Sequence, residues 1–232
     1  MFLTLEFLQR IYKTGFWLVL ILILLDLLFF FYYPENSLGD IFLATREQTP
    51  LTWISALTFL FIALSSLSAY LETGNKKWYF LSVIFFFFSM DDATYFHERF
   101  TGYLVNNIDQ LSSFPSYSWI ILYFPLLFFS LGVFIWLLWK NSSKRNRRFV
   151  ILGLVLLGIA VFLDLIDGIT QKNSSVVFSL TAYGQEVFLH LIRLTEEVLE
   201  VFALGLLGYI NLKKHCLHRK NVKQSIGGNE KI

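Results

Sequence analysis

The stretch Phe85-Phe-Phe-Phe-Ser-Met-Asp-Asp-Ala-Thr-Tyr-Phe-His-Glu-Arg99 runs from an unbroken phenylalanine block directly into three acids and a histidine. A carboxylate inside a bilayer costs at least about 2.5 kcal/mol even on lenient insertion scales, so acids placed at the end of such a block need partners. Two later stretches supply them. Phe162-Leu-Asp-Leu-Ile-Asp-Gly168 carries Asp164 and Asp167, and His190-Leu-Ile-Arg-Leu-Thr-Glu-Glu-Val-Leu-Glu200 carries His190, Arg193, Glu196, Glu197 and Glu200.

Composition sets the class. With 56% hydrophobic residues, 26 Phe and only 16% charged residues in 232, and with several apolar runs near twenty residues long, the chain reads as an all-α, multi-pass membrane bundle; a soluble core is excluded. The net charge of +2 carries no information as a total, because the basic residues are grouped between apolar runs, where they report topology and not nucleic-acid binding. The single Cys216 excludes an intrachain disulfide and a thiolate metal cluster. The first apolar run, Phe16 to Tyr33, leads into Pro34-Glu-Asn36 without a small-residue cleavage pattern, so it reads as a retained span.

Taken in order, residues 1–15 form a short amphipathic surface segment, followed by spans at about 16–33, 53–71, 78–104, 117–139, 149–168 and 186–211. A basic tail occupies 213–232. Asp26 lies mid-span and reads as a bundle-facing hydrogen-bonding group. Ser65, Ser66 and Ser68 suit close helix packing, Pro125 predicts a kink, and Gly168 is expected to end the fifth span. Of the 19 Lys and Arg residues, 15 fall in the N-terminal segment, the 72–77 turn, the 140–148 loop and the tail, whereas the three other loops hold only Arg46, Arg99 and Lys172. The positive-inside rule then places both termini in the cytoplasm, with six spans in the plasma membrane.

This topology brings the acids to similar depth. Asp91 to Glu98 fall in the outer third of the third span, Asp164 and Asp167 at the outer end of the fifth, and Glu196 to Glu200 about 15 to 21 Å down the sixth. At about 100° per residue, Glu196 and Glu200 share a face with Arg193, whereas Asp92 and His97 diverge from Asp91. A single site using all of them requires the third span to lie deep in the bundle or to unwind.

Carboxylates with one or two imidazoles suit Mn, Fe or Zn. Asp91, Asp92, His97, Glu98, Glu196 and Glu197 are therefore candidate metal ligands, Asp167 and Glu200 candidate catalytic bases, and His190, Arg193 and Asp164 supporting groups. Arg193 is expected to neutralise Glu196, Glu197 or Glu200, and His190 fits a structural role as well as a ligand. The Glu-x-x-His spacing of soluble di-iron bundles does not occur. Without a metal, like-charge repulsion and desolvation would make the acids share protons. Two functions stay open: metal-activated water acting on a lipid or lipid-linked substrate, and a non-enzymatic proton or cation site or structural hydrogen-bond network.

Ser89-Met-Asp-Asp-Ala-Thr-Tyr-Phe-His-Glu98 resembles the Ser-Leu-Asp-Glu/Asp-x4-His-Glu motif of uncharacterised bacterial multi-pass membrane proteins, and Glu196-Glu-Val-Leu-Glu200 resembles their later Glu-Glu-Gly-Leu-Glu segment, with Val198 in place of the glycine. That resemblance implies a helical membrane fold and no assigned activity. Ser89, Asp91, Asp92 and His97 on one span are also similar to the alkaline ceramidase and adiponectin-receptor superfamily, but the late His-x-x-x-His pair of its zinc site is missing.

Overall fold

The computed structural model describes residues 5–33, 39–43, 49–105, 119–140, 142–172 and 181–227, and these are helical almost throughout, with no strand among them. The helices are α1 (Leu5–Tyr32), α2 (Gly39–Phe42), α3 (Pro50–Thr73), α4 (Lys76–Thr94), α5 (Phe96–Val105), α6 (Trp119–Lys140), α7 (Lys144–Lys172) and α8 (Ala182–Gly227). Much of the expected loops at 34–52, 105–116 and 169–184 lies outside the described residues.

Local chemistry sets the ends of α3 and the start of α4. Thr49 caps α3 by accepting the backbone N–H of Thr52, with Pro50 in the first helical turn, where its missing N–H costs nothing. Gly74 closes the same helix in the left-handed region (φ 65°), donating its N–H to the Tyr70 carbonyl, and Asn75 then accepts from Lys77 N to start α4.

Three boundaries differ from the sequence expectation. The N-terminal segment is not a separate surface helix: α1 is continuous from Leu5 through Gly15 to Tyr32, because one interior glycine costs only about 1 kcal/mol. Gly168 does not stop α7, which runs on to Lys172 with Thr170 buried. The basic tail is not separated from the last span either, since α8 continues without a break to Gly227; no proline or glycine interrupts Lys213 to Ile226.

α1, α3 and α7 contain stretches long and apolar enough to cross a membrane, at Gln9–Tyr32, Pro50–Thr73 and Asn146–Thr170, and α6 holds a shorter apolar stretch, Pro125–Lys140. The charged residues of α4 and α8 keep those two helices out of the set. Large apolar side chains such as Leu24, Leu64, Phe86, Phe128 and Phe162 face outward, as hydrocarbon contact requires and water does not.

α8 is the axis of the bundle. One apolar cluster joins Phe59 and Ile62 of α3, Leu81 and Phe85 of α4, Phe134 of α6, Val150 and Leu157 of α7, and Leu204 and Leu207 of α8. A second joins Val19 and Leu22 of α1 and Leu51 of α3 to Leu194 and Val201 of α8. Close approach is set by glycine: a Cβ on Gly153 of α7 would lie 3.0 Å from Cγ and Cδ2 of the buried Leu207, so these backbones could not pack as closely around any larger residue.

Candidate functional site

The opening motif is split by its own backbone. Tyr95 stands in the left-handed region (φ 52°, ψ 36°) between α4 and α5, at a cost of roughly 1–2 kcal/mol for a residue with a Cβ. Burial of its ring and contact of its hydroxyl with Thr52 Oγ1 at 3.2 Å hold it there. The break turns His97 back onto the end of α4. Asp91 Oδ1 accepts the His97 backbone N–H at 2.9 Å, and Asp91 Oδ2 lies 2.8 Å from His97 Nδ1. The interruption between α4 and α5 is thus one residue of left-handed backbone, and its result is an Asp91–His97 pair.

α8 carries the remaining groups turn by turn. His190 Nε2 lies 2.6 Å from Asp26 Oδ1 of α1, with both side chains at 0% exposure. The imidazole is stacked on Phe30 (centroids 3.8 Å apart, planes 2° apart). Arg193 Nε donates to Asp167 Oδ2 of α7 at 3.0 Å. One turn further, Glu196 and Glu197 lie within electrostatic reach of Asp164 and of each other. Glu200 follows, accepting from the Ser55 hydroxyl of α3 at 3.1 Å. Across from it, Asp92 interacts electrostatically with Glu200, Glu197 and Asp91. His190 to Glu200 spans about 15 Å of helix axis, so the polar groups form one continuous strip through the apolar interior. About 16 Å further along α8, Asn211 Nδ2 donates to Ser65 Oγ (2.7 Å), whose hydroxyl donates to the Ile62 carbonyl (2.9 Å).

These contacts revise several expectations. Arg193 bonds to Asp167 of the neighbouring helix α7. His190 serves as the partner of Asp26. Asp167, a candidate base, is engaged by Arg193, and Glu200, the other, is held by Ser55. Ser89, part of the resemblance to zinc hydrolases, donates to the Ala56 carbonyl and ties α4 to α3 (2.8 Å). The side chain of Glu98 lies outside the described residues, as do those of His215 and His218.

A metal is a poor fit to this arrangement. Among the described residues no three His, Cys, Asp or Glu side chains are grouped as a metal centre requires, and Asp91 and His97 spend their facing atoms on each other.

Sequence reasoning missed Thr52, Ser55, Tyr95 and Asn211. For the first two a signal exists: Thr52, Ser55, Phe59, Ile62, Ser66 and Ala69 recur at intervals of three and four and are all buried, the pattern of a core-facing stripe. Tyr95 has no such signal, since its backbone state depends on tertiary contacts.

Residues 15–212 match the model of a family described as a domain of unknown function (DUF8692), and the chain belongs to that family. No curated protein and no solved structure matches it.

Proposed function

We propose that this member of the DUF8692 family is a six-span plasma-membrane protein, with both termini cytoplasmic and residues 1–212 forming the bundle, whose working centre is a proton-binding carboxylate site between α4 and α8. The observation that carries this reading is the state of Asp92. Its Oδ2 is buried without a hydrogen-bond partner, while Glu197, Glu200 and Asp91 stand within electrostatic reach. Among the described residues no Lys or Arg pairs with Asp92, Glu196, Glu197 or Glu200. Carboxylates this close in a low-dielectric interior are compatible with one another when protons are shared among them, because a protonated carboxyl becomes a donor to its neighbour. Asp26, Asp91 and Asp167 differ in each having a His or Arg partner. They hold α1, α5 and α7 in place around the site, and the exchangeable protons belong to the remaining acids.

Infrared spectroscopy of the purified protein in lipid nanodiscs tests the proposal. A carbonyl band of protonated carboxylic acid should appear at neutral pH, shift in deuterated water, and fall in Asp92→Asn and in Glu196→Gln/Glu200→Gln. Absence of that band between pH 5 and 8, or its survival in both variants, would remove the reading.

A further inference from the structure

The far end of the bundle from the acids carries a cluster of cations assembled from three helices. Lys77 is in the first turn of α4, Lys140 in the last turn of α6 and Arg147 in the first turn of α7. Lys77 lies about 20 Å along the helix axis from Asp91, so this cluster is separate from the proton site and independent of that reading. Two half-exposed tryptophans of α6 organise it. Lys77 Nζ lies 4.3 Å and Lys140 Nζ 5.6 Å from the centre of the Trp136 ring, and the Arg147 guanidinium is 5.1 Å from the centre of Trp139. Trp78, buried beside Lys77, meets Phe134 edge to face and ties the start of α4 to α6.

Two ammonium groups on one ring repel each other, and cation–π attraction of about 0.5–1 kcal/mol at an exposed site does not neutralise either charge. Among the described residues no carboxylate pairs with any of the three cations, and Arg147 Nε is buried without an acceptor. Among the described residues the arrangement lacks an anion. Its depth specifies which: tryptophans at the end of an apolar helix sit at the headgroup level of a bilayer, and two to three turns earlier on α6 the exposed Phe128 and Phe129 suit acyl chains. We propose that Lys77, Lys140 and Arg147 bind the phosphate of an anionic phospholipid, with Trp136 and Trp139 against its glycerol and upper acyl region.

The test uses full-length protein in neutral detergent micelles and tryptophan quenching by brominated lipids. Brominated phosphatidylglycerol competes against unbrominated phosphatidylcholine, and the converse pair is run alongside. Wild type should prefer phosphatidylglycerol roughly tenfold or more, given about fivefold for each basic residue near the headgroup. Lys77→Gln/Lys140→Gln/Arg147→Gln should bring the preference close to unity, whereas Lys13→Gln/Lys213→Gln should keep most of it. If the triple variant does not fold, the wild type decides: 1 M salt, with a screening length of about 3 Å, should abolish its preference. Equal quenching by both lipids in wild type, or a preference unchanged in the triple variant and in salt, overturns the proposal. Loss of the preference on adding millimolar inorganic phosphate also overturns it, as the site would then be one for free phosphate.

Discussion

His190→Ala is the most informative single perturbation of the bundle. His190 and Asp26 are fully shielded, 2.6 Å apart, and join α8 to α1, alongside an apolar cluster and the ring contacts Tyr12–Tyr209 and Phe16–Phe202. Removing the imidazole takes the 2.6 Å partner away from Asp26 Oδ1, and breaking a buried pair from one side costs about 3–5 kcal/mol. For a chain of this size each kcal/mol moves Tm by about 2–4 °C, so the expected loss is roughly 6–20 °C. Removing both partners should behave differently. In Asp26→Leu/His190→Phe the charge is gone and an aromatic ring remains to stack on Phe30, so stability should return to within about 1.5 kcal/mol of wild type. The assay is thermal unfolding in detergent followed by intrinsic fluorescence and size-exclusion recovery, with Asp26→Leu and His190→Phe completing a double-mutant cycle. A coupling energy near zero, with the double variant as unstable as the sum of the singles, would refute the pair.

Three further outcomes are expected. Gly153→Ala should destabilise by about 1–3 kcal/mol in the same assay, since its Cβ would meet Leu207 at 3.0 Å, while Gly158→Ala, with nothing within 4 Å, should be neutral or stabilising by up to about 1 kcal/mol; equal effects would contradict the close approach of α7 and α8. Tyr95→Phe should cost about 1 kcal/mol for the lost contact with Thr52 and leave the helix break intact, as read by the infrared signature of the Asp91–His97 pair. Cys216, the single thiol, should react with a membrane-impermeant maleimide in inverted vesicles and not in intact cells; the opposite pattern would reverse the topology.

The extent of the site was legible because polar residues in apolar runs are expensive and therefore conspicuous: Asp91, Asp92, His97, Asp164, Asp167, His190, Arg193 and the glutamates Glu196, Glu197 and Glu200 stand out with no knowledge of their neighbours. Their phase on α8 was legible too, since 3.6 residues per turn is a property of the backbone. Partner choice was not. Arg193 could reach acids on its own helix or on another, and the packing of α7 against α8 selected Asp167. That Gly168 does not end α7 has the same origin, because a glycine within a helix imposes a cost of about 1 kcal/mol that burial of its neighbours outweighs.

From the sequence alone came the all-helical, membrane-compatible class, the positions of the apolar stretches and the identity of the ionisable residues within them, all of which follow from transfer free energies and helical periodicity. Tertiary structure decided the rest: that Tyr95 adopts a left-handed conformation, that Asp26 meets His190 across 164 residues, and that Ser55 and Asp92 face the glutamates of α8. Those outcomes depend on which helix lies beside which. Many pairings of equal chemistry were available, and the interlocking of Gly153 with Leu207 and of α3 with both α4 and α8 selected the one observed.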